Sequence, residues 1–385
     1  MANVLTDLAA DLYKAADKVG REQVGFIPSV TINGDGSEQA AVGDTVRSHF
    51  TRAASAVDNT SAMTIPEGTD QTVDNKTLTI SKDRGVQIPW TGEDIRSVNN
   101  GSGFETIYGD QIMQAMRTLT NEIETDCFNA AYLAASRAYG SAGVTPFAST
   151  LAGPAQIRKI LADNGCSMDD ASLIIDSTAG ANLRTLTNLT DASASGTTDV
   201  LRQGILLPMS DLSVRESAKV TTHTAGTAAS ATTDNAGYAV GATTITLASA
   251  GTGTILAGDV ITFAGDTNQY VVASGDADVS GGGTITLAAP GLRVAMSAAT
   301  KAITMVAAAA RNMAFTRSAI VLAARPVAMP TEGDMAEDRQ IIVDPISGLP
   351  FEIAFYKGYK MNRYEINLAW GADVIKPEHT ALLLG

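Results

Sequence analysis

The chain contains two similar stretches, Thr243-Thr244-Ile245-Thr246-Leu247 and Thr284-Ile285-Thr286-Leu287, with Gly258-Asp259-Val260-Ile261-Thr262-Phe263 between them. β-Branched residues alternate there with smaller ones, and glycine-containing pairs separate the stretches, a pattern typical of short antiparallel strands. The block that contains them, from Val220 to Thr300, has no Lys and no Glu, unlike the sequence on either side. This difference predicts a small all-β unit, a barrel or sandwich, inserted into a larger domain.

Upstream of the β block, a long helical pattern begins at Ser102-Gly103-Phe104-Glu105. This sequence has the form of a capping box, in which Ser and Glu side chains bond to amides that the first helical turn leaves unpaired. Apolar residues then recur on one face, and Gly140 is a typical stop. The pattern predicts one helix over 104–139, about 50 Å long at ~1.5 Å per residue. The residues of the apolar face are Tyr108, Ile112, Ala115, Met116, Leu119, Ile123, Cys127, Ala130 and Ala134.

Between Val30 and Trp90 the sequence is polar and extended in character. Thr77–Ser81 and Val86–Ile88 alternate apolar and polar residues, and Lys82-Asp83-Arg84-Gly85 separates them. This arrangement predicts a hairpin with a charged turn. A polar segment of this length buries little surface by itself, so the hairpin should be mobile or lie against another element.

The amino terminus has a helical stripe of apolar residues with Asp and Lys on the opposite face, and Gly20 could end the segment. It predicts an amphipathic arm. A stripe of this kind packs within its own subunit, which is the commoner case, or docks on a neighbouring subunit. The residues of the stripe are Leu5, Leu8, Leu12 and Val19.

The rest of the chain mixes helices and strands, which indicates an α+β organisation. Helical patterns cover Ala155–Ala162 and Ala179–Leu189. Strand patterns cover Ala171–Asp176, Ala319–Ala323, Gln340–Val343, Phe351–Tyr356 and Glu365–Gly371.

Composition restricts the class of protein. The 385 residues, 45% of them hydrophobic, are enough for two or three folding units. A formal net charge of −14 argues against a surface that binds nucleic-acid phosphates tightly. The two cysteines, Cys127 and Cys166, lack the spacing of a zinc site or a disulfide framework, which favours a reducing compartment. We expect neither a secretory signal nor a membrane span, because no suitable apolar run is found.

Residues with catalytic chemistry are few and scattered. His49, His223 and His379 lie in unlike contexts, and none accompanies a nucleophile motif or a second metal-ligand histidine. The pair Glu122 and Asp126 stands one helical turn apart, where a solvated face is the commoner explanation than acid-base chemistry. Asp276-x-Asp278-x-Ser280-Gly281 resembles the start of a calcium loop, but Leu287 occupies the position of the closing carboxylate, which favours a plain turn. The sequence therefore predicts no enzyme, no cofactor and no metal site.

The arrangement of elements resembles the major capsid proteins of tailed bacteriophages with the Hong Kong ninety-seven fold. The resemblance rests on the amphipathic arm, a long hairpin ending Val86-Gln87-Ile88-Pro89-Trp90-Thr91-Gly92-Glu93-Asp94, and the long helix. The carboxyl end is similar to coat proteins of the Salmonella podophage (P-twenty-two) type, at Asp344-Pro345-Ile346-Ser347-Gly348-Leu349, Leu368-Ala369-Trp370-Gly371 and Ile375-Lys376-Pro377-Glu378. That subgroup carries an inserted β-barrel where the β block falls here.

The resemblance implies an α+β Hong Kong ninety-seven fold with an all-β insertion. Arg311–Pro326 would be the axial-domain strand that resumes after the insertion. The expected parts are an amino-terminal arm over 1–30, an extended hairpin loop over 31–92, a peripheral domain over 93–145 and 327–385 with its spine helix at 104–139, an axial domain over 146–219 and 305–326, and an inserted β-barrel over 220–304.

The function that the resemblance implies is self-assembly, as hexamers and pentamers, into an icosahedral shell that encloses double-stranded DNA without sequence-specific binding. A scaffolding protein would template a precursor shell, a portal would occupy one vertex, and packaging would drive expansion. A decoration protein is a further partner of such shells. The implied location is the virion capsid, assembled in the host bacterial cytoplasm, with no membrane involved.

Two segments are the candidate lateral contacts between subunits. One is the arm, with Leu5, Leu8, Leu12 and Val19, and the other is the charged segment Lys82, Asp83 and Arg84. Some relatives weld their shells through a Lys on the hairpin and an Asn; Lys76 and Lys82 would be the donors here, but the sequence shows no matching acceptor.

Two other classes remain open from the sequence. An encapsulin-type compartment shares the fold and loads protein cargo, so nucleic-acid content would separate it from a phage shell. The Thr/Ala/Gly-rich block taken alone is typical of a β-rich fibre or adhesin, although the long helix argues against that class. An enzyme is a third and weaker alternative.

Overall fold

The computed structural model describes residues 23–34, 38–51, 56, 58, 61, 73–99, 104–191, 208–344 and 347–385, which form an α+β fold. The helices are α1 (Gly92–Asn99), α2 (Phe104–Ala134), α3 (Ala152–Asp163), α4 (Ser177–Thr185) and α5 (Thr187–Thr190). The strands are β1 (Thr31–Gly34), β2 (Thr45–Thr51), β3 (Val73–Thr79), β4 (Lys82–Thr91), β5 (Arg137–Gly140), β6 (Ala171–Ile175), β7 (Ser213–Glu216), β8 (Thr222–His223), β9 (Thr244–Leu247), β10 (Val260–Phe263), β11 (Gln269–Ser274), β12 (Gly283–Leu287), β13 (Ile303–Met305), β14 (Ala309–Thr316), β15 (Ile320–Arg325), β16 (Ala336–Val343), β17 (Pro350–Gly358), β18 (Met361–Val374) and β19 (Thr380–Leu384).

A six-stranded sheet is built around β18, which is 14 residues long. One edge of β18 pairs first with β17 and then with β15, and the other edge pairs with β4 over Met361–Trp370. The strand β16 lies beyond β17, and β1 pairs in parallel with β15. Residues of β18 that pair with β4 also pair with β17 or β15, so β4 must lie on the edge of β18 opposite to those two strands.

The second sheet runs in the order β13-β10-β11-β5-β19-β14-β6-β7, with β8, β9 and β12 attached to it. Its centre is apolar: every residue of β6 and β19 is buried. Strands buried on both faces read as continuous apolar runs, which explains the sequence Ala-Leu-Leu-Leu near the carboxyl end.

The main core lies where α2 packs between elements of both sheets. Leu119, Ile123 and Phe128 of the helix are buried in one apolar cluster with Phe315 of β14 and Trp370 of β18. A second cluster lies under α3 and α4, and a third lies within the β block. The apolar stripe of α2 therefore holds the two sheets together.

The long helix is shorter than the sequence pattern predicts, and the expected span of 104–139 is wrong at its carboxyl end. The helix ends at Ala134, and Arg137–Gly140 form β5 instead. The small residues at the end of the stripe are compatible with a helix or a strand, so the neighbouring strands determine which of the two forms. Pairing with β19 on one side and β11 on the other satisfies the backbone of Arg137 and Ala138. Gly140 has φ +125°, and a Cβ there would lie 2.6 Å from the Leu384 carbonyl oxygen.

The predicted hairpin with a turn at Lys82-Asp83-Arg84-Gly85 is also wrong. The strand β3 pairs with β2, from Thr45↔Thr79 to Thr51↔Val73. The charged residues begin β4, which pairs with β18 from Lys82↔Trp370 onward. Alternation of apolar and polar residues located both strands, but it carries no information about the partner of each strand.

The β block is joined to the rest of the chain by strand pairing. Its apolar cluster is its own and includes Ile245, Phe263 and Ile285. However, β11 pairs antiparallel with β5, so that Tyr270 lies opposite Arg137. The block is thus an extension of the second sheet at this edge.

The described tail segments have strand partners that cross the expected domain boundaries. Within Arg311–Pro326, β14 belongs to the second sheet, whereas β15 pairs with β18 in the first. The final strand, β19, pairs with β14 and β5 in the second sheet. The chain therefore crosses between the two sheets at residues 317–319 and again between β18 and β19.

Candidate assembly interface

The charged segment Lys82, Asp83 and Arg84 lies along the side of α2. Lys82 Nζ is 2.8 Å from Asp126 Oδ1, and Arg84 Nε is 3.2 Å from Glu122 Oε2. The sequence pattern predicts that Glu122 and Asp126 lie on a solvated helix face, but in the structure their carboxylates hold β4 to the helix. Two of the three predicted contact residues are paired within their own subunit, and Asp83 is exposed.

The carboxylate of Asp126 also ties the helix to the central strand of the first sheet. Trp370 Nε1 donates a hydrogen bond to Asp126 Oδ2 at 2.8 Å, while Lys82 occupies the other carboxylate oxygen. The Lys82 ammonium lies 6.0 Å from the centre of the Trp370 ring. One side chain thus connects α2, β4 and β18.

Glu124, a fully buried carboxylate in the middle of α2, is not among the residues that the sequence patterns single out. Glu124 Oε1 accepts hydrogen bonds from the amides of Gly25 (2.6 Å) and Phe26 (2.8 Å) and from Ser217 Oγ (2.7 Å). Glu124 Oε2 accepts from the amide of Ile27 at 3.0 Å. The available signal was position: Glu124 adjoins Ile123 and precedes Cys127 by three residues, so it must share the buried side of the helix.

The Glu124 carboxylate fixes the point at which the amino-terminal segment meets the body of the protein. The Gln23 carbonyl accepts a hydrogen bond from the Ala218 amide at 3.1 Å, beside the same cluster. The predicted arm residues, Leu5, Leu8, Leu12 and Val19, lie outside the described residues.

The hairpin of β2 and β3 pairs with no further strand in the described part of the chain. Leu78 and Ile80 pack at its base on Val321, Ala323 and Ala369 of the first sheet. The approach is close, because a Cβ at Gly371 would lie 2.2 Å from the Thr79 carbonyl oxygen. An isolated two-stranded ribbon is marginally stable, so the rest of the hairpin depends on other contacts.

Lys76, one of the two lysines singled out in the sequence, is held at this base. Its ammonium bonds to the Val374 carbonyl and lies 3.2 Å from Asp373 Oδ2. Lys76 therefore helps to attach β3 to the end of β18.

The outer edge of the first sheet carries exposed apolar side chains. Ile341, Ile342 and Val343 of β16 are 46%, 41% and 58% exposed, and Met335 just before the strand is 86% exposed. Arg339, by contrast, bonds to Glu352 and lies 2.6 Å from Asp334. The strand β16 pairs with β17 along its length; the Arg339 ion pairs reinforce its first half, and its second half presents an apolar outer edge.

Arg311 of β14 joins the β block to the body of the protein, beside His223 and Asp259 of the block. His223 Nε2 lies 2.9 Å from the buried Asp259 Oδ1, which also accepts from the Gly226 amide at 3.1 Å. Arg311 is fully buried beside them, with Nη2 3.4 Å from the Gly258 carbonyl, and burial lowers the pKa of its guanidinium to about 10. Among the described residues, Arg311 Nε and Nη1 are buried without a hydrogen-bond partner, and the nearby Asp259 carboxylate is the charge that opposes the guanidinium.

The other sequence-predicted candidates also have structural contacts. His379 Nδ1 lies 3.3 Å from Thr316 Oγ1. Asp276 and Asp278 each accept a backbone amide two residues later, at 2.8 and 3.0 Å. Within the described ranges, no group of three or more His, Cys, Asp or Glu side chains is placed to hold a metal ion. Among those same residues, none of the helices is both long and apolar enough to cross a membrane.

Comparison with known proteins gives similarity in structure only. No protein-family profile matches the chain, and no curated protein matches it in sequence. A chain of Mycobacterium phage Che8 is similar in structure with a TM-score of 0.52 at 11% identity, covering 100% of this chain and 98% of that one. A chain from the capsid structure of the Cyanophage P-SCSP1u also has a TM-score of 0.52, at 12% identity, covering 99% and 92%.

The similarity extends over almost the full length of both chains, so it concerns the whole architecture and not one motif. At these identities it establishes the fold alone. The protein therefore has the fold of phage capsid chains, an α+β fold of the Hong Kong ninety-seven type.

Proposed function

We propose that this chain is a major capsid protein that assembles into the icosahedral shell of a tailed double-stranded DNA bacteriophage. The observation that carries the proposal is the shared fold with the cyanophage capsid chain over nearly the full length of both. Two further features support it: a hairpin that pairs with no other described strand, and an apolar sheet edge. Both would be buried only when neighbouring subunits arrive.

We further propose the Salmonella podophage (P-twenty-two)-like subgroup, with 220–304 as the inserted β-barrel domain. The separate apolar cluster of the block supports an inserted unit. The pairing of β11 with β5 supports a rigid junction rather than a flexible tether. Strand pairing changes the expected division at two places: β15, expected in the axial domain, pairs with β18 of the peripheral sheet, and β19, expected in the peripheral domain, pairs with β14 and β5 of the other sheet.

The proposed assembly follows the logic of many weak contacts. Hexamers and pentamers would form a precursor shell on a scaffolding protein, with a portal at one vertex, and would expand on DNA packaging. A decoration protein is a proposed external partner. Each contact between subunits is weak. Once a subunit has joined the growing shell, however, its remaining contacts form at high effective concentration, as intramolecular contacts do. The net charge of −14 suits a wall that encloses DNA without adhering to it.

The arm and the charged segment remain the proposed lateral contacts. Because Lys82 and Arg84 pair within their own subunit, we propose that Asp83 and the outer edge of β4 face the neighbour. The arm contributes Leu5, Leu8, Leu12 and Val19. Deletion of residues 1–20 should lower particle yield; unchanged yield and morphology would remove the arm from the proposal.

Electron microscopy of the expressed chain, with and without a co-expressed scaffold, tests the proposed function. We expect closed shells in the bacterial cytoplasm and, from infected cells, particles filled with double-stranded DNA. Particles that hold protein cargo in place of DNA would indicate an encapsulin-type compartment, and rods would indicate a fibre. A compact solitary molecule under all these conditions would overturn the proposal.

A further inference from the structure

The free edge of β16 differs from the other edge of the same sheet. At the opposite edge, β4 begins with Lys82-Asp83-Arg84 and contains Pro89, and charge and proline both oppose the addition of a further strand. The second half of β16 has neither. An apolar edge without such protection is a site for strand pairing with another chain, and here it extends over residues 341–343, before Asp344 and Pro345 in the sequence.

The apolar run Ile341-Ile342-Val343 is unusual for this surface. Of the large hydrophobic side chains exposed among the described residues, these three are the only consecutive ones. The strands of the β2–β3 hairpin, by comparison, are rich in Thr, Ser and Asn. Among the described surfaces, the one that is equally apolar is this run itself. A second copy of the chain, contributing its own residues 341–343, is therefore the matching partner.

Charge decides the direction in which two copies of β16 can pair. In a parallel, in-register pair, Glu337 and Asp338 would face the same residues of the other copy, and directly opposed like charges destabilise a sheet. In an antiparallel pair centred on Ile342, residues 340–344 of the two copies would pair. The two copies of Asp338 would then lie eight residues apart along the strands, about 27 Å at ~3.4 Å per residue, and the two copies of Asp344 four residues apart, about 14 Å, both beyond a screening length of ~8 Å.

We propose that two copies of this chain associate across a two-fold axis by antiparallel pairing of their β16 edges, with Ile342 opposite Ile342. The inference deepens the proposed function, on which it rests, by assigning one contact between subunits of the shell. The same patch serves both partners, as two-fold symmetry requires. Five residue pairs bury far less than the ~1,200 Å² of an independent stable interface, so the contact forms when assembly raises the effective concentration.

Cysteine cross-linking tests the register. Ile342→Cys is compared with Asp338→Cys and the parent chain after copper-phenanthroline oxidation of assembled particles and of concentrated soluble protein. Directly opposed side chains have Cβ atoms ~4.5–5.5 Å apart, close to disulfide distance. We expect at least ~10-fold more covalent dimer from Ile342→Cys than from Asp338→Cys on a non-reducing gel, because only the first pair meets.

Each other outcome has a definite meaning. Equal cross-linking of both variants, or none from Ile342→Cys in either fraction, overturns the two-fold pairing. Closed shells without the cross-link would leave the proposed capsid function standing and remove only this contact. A cross-linked dimer that never forms shells would leave this contact standing and overturn the proposed capsid function. Since a cysteine variant could fold poorly, Ile342→Lys provides a second check: its opposed charges should abolish the association, whereas Asp338→Lys should not.

Discussion

At the scale of single residues, three carboxylates on α2 have different roles set by their burial. Glu122 and Asp126 reach the edge strand β4, where water still screens their charge. Glu124 is fully buried and accepts four hydrogen bonds, three of them from consecutive backbone amides. A buried charge is tolerable only with such complete hydrogen bonding. Glu124 therefore determines where the amino-terminal segment is attached.

Glu124→Gln should destabilise the protein far more than Glu122→Gln. The amide keeps the shape of the side chain but loses the charge and one acceptor oxygen, so at least one buried donor is left unpaired. We expect a loss of about 2–4 kcal/mol in the free energy of unfolding, against about 1 kcal/mol or less at the half-exposed Glu122. Urea unfolding followed by circular dichroism measures both. Equal shifts for the two variants would contradict the anchoring role.

The two cysteines should resist alkylation in the folded protein. Burial raises the pKa of Cys166 to about 12, the nearby Glu378 adding to the effect, and burial also raises the pKa of Cys127 well above its usual range. Since the thiolate is the reactive form, Cys166 should react about a thousandfold more slowly at pH 8 than a free thiol. Iodoacetamide labelling with mass spectrometry checks this, with urea-unfolded protein as the control. Rapid labelling of the native chain would show that the site opens.

At the scale of elements, the two neighbouring strands β3 and β4 belong to different structures. The strand β4 is part of the main sheet and contacts α2, whereas β3 and β2 form a separate ribbon whose described contacts with the sheet lie near its base. The anchor consists of Leu78, Ile80 and the Lys76 contacts with β18. The ribbon thus contributes little to the stability of the body and is available for contacts elsewhere.

Replacement of residues 47–77 by a short Gly-Ser linker should separate folding from assembly. The remaining body keeps Leu78, Ile80 and both sheets, so its Tm should change by less than about 5 °C. Particle yield should fall at least ~10-fold, because a set of contacts around each subunit is lost and avidity falls with it. Thermal melting and negative-stain microscopy measure the two effects. Normal shells from the shortened chain would show that the hairpin is not an assembly element.

At the scale of the whole molecule, the acidic composition opposes association of identical copies. Each subunit carries a formal net charge of −14, so the subunits repel one another at low ionic strength. The ion pairs described here, such as Lys82 with Asp126, are internal and are formed before assembly. We therefore expect contacts between copies to come mainly from apolar surface and backbone pairing.

Salt should accelerate assembly of this protein. A rise from about 50 mM to about 0.5 M NaCl shortens the screening length from ~14 to ~4 Å, which weakens repulsion between copies and leaves apolar contacts intact. We expect a several-fold faster rise in light scattering, with shells of the same size by microscopy. Slower assembly at high salt would indicate that ion pairs between subunits dominate the contacts.

The sequence by itself determined the features that depend on local periodicity. The apolar stripe of α2, the buried runs of β6 and β15, and the alternation in β17 and β18 each recur at the spacing of one element, so each can be identified from its own residues. The unusual composition of the β block likewise marked a separate apolar cluster. Such features can be identified from the sequence because the buried face of a helix or strand must be apolar along its whole length.

Only the tertiary structure decided which elements meet. The end of α2 at Ala134, the pairing of β4 with β18 and the anchoring of residues 25–27 by Glu124 all depend on partners distant in the chain. The exposure of Ile341, Ile342 and Val343 followed from the position of β16 at a sheet edge, which no property of those residues specifies. Periodicity specifies the face that an element buries, whereas its partner depends on shape, hydrogen bonding and burial summed over the whole fold.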